Sequence, residues 1–108
     1  MFVQTETTPN PNSLKFLPGK IVSNSGSYEI TNKDDTKNQL IRNLLSVNGV
    51  EGIFLGKDFI SVNKHDENSW DDIKHIVISH INEFYAYFFS NSFIDVSVKI
   101  ILLNLIRS

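Results

Sequence analysis

The sequence predicts a two-layer α+β domain: a mostly antiparallel sheet with two helices on one face. Three observations carry this. Val50–Leu55, Gly56-Lys57-Asp58 and Phe59–Val62 read as a hairpin rich in Val, Ile and Phe. Two segments show apolar stripes at helical spacing, Leu40/Ile41/Leu44/Leu45 and Trp70/Ile73/Ile76/Val77/Ile81/Phe84. Two amphipathic helices need one sheet face to cover, and the order strand, strand, helix, hairpin, helix supplies it.

Taken in order, residues 2–5 (FVQT) read as a short strand. Thr8-Pro9-Asn10-Pro11-Asn12 follows, with two prolines pushing Thr8 and Asn10 towards extended backbone. Leu14–Leu17 is the second strand and stops at Pro18-Gly19. The next stretch is polar, with Tyr28-Glu29-Ile30 as a short edge strand and Lys33-Asp34-Asp35 as a solvated charge run. Asp35 or Thr36 is expected to cap the first helix, since Thr36 and Gln39 have capping-box spacing. Gly49 is expected to close it as the left-handed residue after the last turn. The second helix is expected to start at Ser69, with Asp71 and Asp72 favourable in its positive first turn.

The last stretch differs. Ile94, Val96, Val98, Ile100 and Leu102 alternate as a strand would, within a strongly apolar tail at 87–108. Its length approaches a bilayer span, but Asp95, Lys99 and its Asn and Ser residues argue against a membrane helix.

Composition narrows the function. The 108 residues suffice for one domain, and 41% apolar against 20% charged is a globular balance. Net charge is −2, and the eight lysines and two arginines form no run or stripe, so nucleic-acid binding is not expected. There is no cysteine, which excludes a disulfide, a thiolate metal site and a cysteine nucleophile within these residues. Residues 1–13 have neither a basic-plus-apolar leader nor an arginine-rich one, so the compartment is expected to be cytoplasmic.

No catalytic constellation emerges. His75 and His80 lie about 140° apart on a helix and cannot share one ligand. Asp71 and His75 could make two contacts to a metal, but a surface ion pair is the plainer reading. There is no G-x-S-x-G elbow, no S-x-x-K and no phosphate-cradling glycine loop. The phenylalanines and Trp70 read as core residues. The proline loop is the one segment more specified than a connector needs, because a stiff loop offers a preordered surface at low entropic cost.

The run Phe2-x-Gln4-Thr5-Glu6-x-Thr8-Pro9-Asn10-Pro11-Asn12-Ser13-Leu14-Lys15-Phe16-Leu17-Pro18-Gly19 resembles the opening of the Nfu (NifU-like) iron–sulfur cluster proteins. So does Leu44 to Lys64, and so does Trp70 at the head of the second helix. The resemblance covers residues 1–86 and implies the family's N-terminal α+β domain. It also implies a part in making or delivering iron–sulfur clusters. In the family the cluster is held by a C-terminal domain carrying Cys-x-x-Cys, so no cofactor is expected in this chain. The expected role is a non-catalytic docking module, with Pro9, Asn10, Pro11, Asn12 and Lys15 as its surface. Its partners would be assembly or recipient proteins, or a separate Cys-x-x-Cys domain. The resemblance stops near Tyr87, so 87–108 is read as a truncation or frameshift product. The alternative is a non-functional remnant of a split or decayed cluster-carrier gene.

Overall fold

A computed structural model describes residues 3–90, with their side chains to residue 86. The strands are β1 (Gln4–Thr7), β2 (Ser13–Leu17), β3 (Tyr28–Ile30), β4 (Val50–Leu55) and β5 (Ile60–Lys64). The helices are α1 (Gln39–Leu45) and α2 (Trp70–Ser90). The strands form one five-stranded antiparallel sheet in the order β1-β2-β5-β4-β3. Thus β2, in the first hairpin, and β5, in the second, become neighbours across the middle of the sheet. The expected two-layer α+β architecture is what is found. The alternating pattern at 94–102 lies outside the described residues.

Strand alternation separates the two faces. Leu14 pairs with Val62 and Phe16 with Ile60, while Ile53 pairs with Val62 and Leu55 with Ile60. All six are buried and form one cluster with Leu40, Ile41 and Leu44 of α1 and Ile73, Val77 and Ile81 of α2. The opposite face carries the row Glu6, Lys15, Ser61, Phe54 and Glu29, one residue from each strand. Trp70 and Phe84 are partly buried at the two ends of the stripe on α2. Ile76 departs from the expectation and is 37% exposed. It lies about 100° around the helix from Val77, which is the middle of the packed stripe, and so falls off the buried side.

Three local expectations are corrected. The first strand is shifted two residues onward, to Gln4–Thr7, because these are the positions with partners in β2. The cap of α1 is Asn38, not Asp35 or Thr36: its Oδ1 accepts from the Ile41 amide at 3.1 Å. Thr36 Oγ1 instead accepts from the Asn38 amide at 3.1 Å, and Lys33–Asp35 closes a 3-10 turn capped by Asn32. Finally, α1 ends at Leu45 with Ser46 as its C-cap, so Gly49 belongs to the turn that enters β4.

That turn does need glycine. Gly49 has φ +97°, and a Cβ there would lie 2.8 Å from Asn68 Cγ and 3.0 Å from Ile73 Cδ1. Gly26 has a similar φ of +91° but open space around it. Gly49→Ala should therefore cost about 2–3 kcal/mol and Gly26→Ala about 1 kcal/mol, the difference measuring the clash alone. Urea unfolding of both variants checks this, and equal losses would contradict the packing account.

Candidate functional site: a proline loop braced by a buried lysine

The loop between β1 and β2 is ordered from within by its own polar side chains. Thr8 Oγ1 donates to the Asn10 carbonyl at 2.8 Å and accepts from the Asn10 amide at 3.2 Å. Asn10 Oδ1 accepts from the Asn12 amide at 2.9 Å, and the Asn10 carbonyl accepts from the Ser13 amide at 3.0 Å. These bonds suit Asn and Thr beside prolines, which leave fewer backbone donors to satisfy.

The rest of the domain grips the loop from behind. Lys64 ends β5 with the same parity as Ile60 and Val62, so its side chain enters the helix-facing layer, where it is 7% exposed. Its ammonium donates to Asn12 Oδ1 at 2.9 Å and to the His65 carbonyl at 3.3 Å. It also lies 5.9 Å from the centre of the Trp70 ring. The Lys64 amide donates to the Asn12 carbonyl at 2.8 Å, so one residue holds Asn12 at two atoms. Among the described residues no carboxylate forms an ion pair with Lys64. A buried cation is costly unless hydrogen-bonded, so neutral acceptors and the ring face replace a counter-charge here.

Trp70 completes the brace. Its Nε1 donates to the Pro11 carbonyl at 3.0 Å, and its ring meets Phe16 edge-on at 6.3 Å between centres. Asn12 Nδ2 donates to Asp66 Oδ1 at 3.2 Å, and Ser13 Oγ to Asn63 Oδ1. Pro9, Asn10 and Pro11 are left exposed, and Asn12 is half-buried beneath them.

Lys15 sits elsewhere. It belongs to the row on the helix-free face of the sheet, and its ammonium is 4.4 Å from the centre of the Phe59 ring, which stacks on Phe54. Sequence reasoning placed Trp70 in the core and passed over Lys64. The signal for Lys64 was present: alternation from Ile60 and Val62 directs its side chain inward.

The remaining candidates assemble no chemistry. His65 Nδ1 pairs with Glu51 Oε1 on the surface, and among the described residues no three His, Cys, Asp or Glu side chains come together as a metal group. Burial raises the Tyr85 hydroxyl's pKa above its ordinary value, but Tyr85 lies about four turns along α2 from the loop. Among the described residues no helix is long and apolar enough to cross a membrane.

The likeness to known proteins is specific. The family model "Scaffold protein Nfu/NifU N terminal" matches residues 3–87. This chain belongs to that family. NifU-like protein 4, mitochondrial, of Arabidopsis thaliana is 40% identical over 87 residues, covering 80% of this chain and 31% of the relative. The human NFU1 iron-sulfur cluster scaffold homolog, mitochondrial, is 41% identical over 88 residues, covering 80% and 35%. A NifU-like protein from Saccharomyces cerevisiae has the same fold in solution, with a TM-score of 0.70 and 33% identity over 80% of this chain and 79% of that one. A Staphylococcus aureus protein matches with a TM-score of 0.68 and 30% identity, over 75% of this chain and 99% of its own. The chain spans about a third of the length of the curated relatives it matches. The expectation of a cytoplasmic protein is overturned by these relatives, which are mitochondrial by name. That expectation rested on a missing leader pattern in residues 1–13, and such an absence does not decide a compartment.

The brace has a measurable cost of removal. Asn12→Ala takes the nearest acceptor from a buried ammonium and should destabilise by about 2–3 kcal/mol. Trp70→Phe keeps the ring contact with Phe16 but loses one neutral hydrogen bond, for about 1 kcal/mol. Denaturant unfolding read by far-UV circular dichroism checks the ranking; a smaller loss for Asn12→Ala would mean that Lys64 is not held as described.

Proposed function

We propose that this Nfu N-terminal domain acts by docking in iron–sulfur cluster assembly or delivery, without bond chemistry of its own. The observation that carries this reading is the braced loop. Pro9, Asn10 and Pro11 are exposed, yet hydrogen bonds to Lys64 and Trp70 hold the chain beneath them in one conformation. A surface ordered before contact loses little entropy on binding. Lys15 would belong to a second contact, since it lies on the helix-free face with Phe54 and Phe59.

The relatives' names, scaffolds of iron–sulfur clusters, support the process, and the Nfu/NifU family match supports the scaffold class. With no cysteine among the 108 residues, the cluster's thiolate ligands would come from elsewhere. The partner is then a Cys-x-x-Cys domain, an assembly protein or a recipient apoprotein. The domain's contribution is to raise the effective concentration of cluster and recipient.

The test is binding of the purified chain to a cluster-loaded Cys-x-x-Cys domain by isothermal titration. A Pro9→Ala/Pro11→Ala double variant should bind about threefold or more weakly while keeping its fold, because it loses preordering rather than contacts. Unchanged affinity in that variant would remove the loop from the interface.

A further inference from the structure

The free edge of β1 and the outer flank of α2 lie on the same side of the domain. On its inner side α2 meets α1, where Ile76 and His80 share a groove with Asn43 and Val47. Because α1 packs over β4 and α2 starts against Phe16 of β2, the outer flank of α2 faces β1. Ile78, Asn82 and Tyr85 lie on that flank, about 80–140° around the helix from Val77. All three are half-buried, whereas Asp71, Lys74 and His75, earlier on the same flank, are exposed. Asn82 Oδ1 is shut off from water, and among the described residues nothing donates to it. A buried acceptor without a donor is costly, so this flank lacks a neighbour.

The edge of β1 lacks one too. Among the described residues β1 pairs with β2 alone. Thr5 and Thr7 lie opposite Phe16 and Leu14 and so face the helix side. Lys64 also faces that side, and its amide points towards β2, to Asn12. Since β1 runs in the same direction as β5, the Thr5 and Thr7 amides point the same way, out of the free edge. The same geometry fixes the hand. An L-residue facing the viewer on an upward strand projects its amide to the right, so β1 lies to the right of β5 seen from the helices.

We propose that residues 94–102 add to the free edge of β1 as a sixth strand, parallel to β1, beneath the outer flank of α2. Helix α2 starts where β5 ends and runs back, so a strand following it points with β5 and β1. To the right of β5, beyond β1, that crossover is right-handed, as nearly all are; beyond β3 it would be left-handed. From Ser90 to Ile94 the chain reaches about 13 Å, enough to pass from the helix layer to the sheet, and Asn91 and Ser92 suit the turn. Alternation then sets Ile94, Val96, Val98, Ile100 and Leu102 under Ile78 and Tyr85, with Asp95, Ser97 and Lys99 on the helix-free face. The apolar stretch becomes part of the domain rather than a remnant, and an edge open to unwanted pairing is closed.

Amide exchange of the full chain, followed by NMR, tests this without reference to the docking reading. Glu29 on β3 is the control: it faces the helix-free side, so its amide points out of the opposite edge. Relative to their intrinsic rates, the Thr5 and Thr7 amides should exchange about tenfold or more slowly than that of Glu29. Overhauser contacts from those two amides should lead to residues 96–100. Val98→Asp should erase the protection with the helical circular dichroism kept. Ser97→Asp, the same charge on the other face, should preserve it. Thr5 and Thr7 exchanging as fast as Glu29, equal effects of the two variants, or contacts to another segment would overturn the proposal. Protection that grows with protein concentration would assign the edge to a second copy and overturn it as well.

Discussion

The buried ammonium of Lys64 is the constraint on which this end of the domain depends. It sits at the end of a central strand, within the layer that otherwise holds Ile60 and Val62. Its positive charge must be solvated by something, and no carboxylate among the described residues does it. The acceptors are Asn12 Oδ1 and the His65 carbonyl, with the Trp70 ring close by. Each belongs to a different segment. The lysine therefore ties the first loop, the turn after β5 and the start of α2 into one unit.

The core makes that arrangement possible. Phe16 is fully buried between the sheet and the helices and gives Trp70 an edge to rest against. Ile73, Val77 and Ile81 then fix α2 over the sheet, which sets where its first residue must lie. Gly49 admits Asn68 and Ile73 at distances that no side chain would tolerate. The stability of the hydrophobic layer and the shape of the loop surface are thus one problem. A stiff loop alone would have two proline-restricted residues; this loop also has its carbonyls and amides assigned.

In the docking role proposed above, the loop's polar groups serve shape, because they are turned inward to hold backbone. What faces outward is Pro9, Asn10 and Pro11. Recognition of another protein asks for little more than fixed shape, a patch of apolar surface and a charge sign.

Much of this was legible in the residues. The hairpin at Val50–Val62, the stripe on α2 and the stiffness of Thr8–Asn12 follow from alternation, helical period and proline geometry, all properties of neighbours in the chain. Capping was less legible, because Asp35, Thr36 and Asn38 all suit an N-cap and only the position of the 3-10 turn chooses among them. The sequence by itself determined an α+β domain with a preordered loop. The tertiary structure decided what that loop rests on: Asn12 and Lys64 are 52 residues apart, and Pro11 and Trp70 are 59. Strand order β2-β5 brings those distant residues together, and no local period encodes which strands become neighbours.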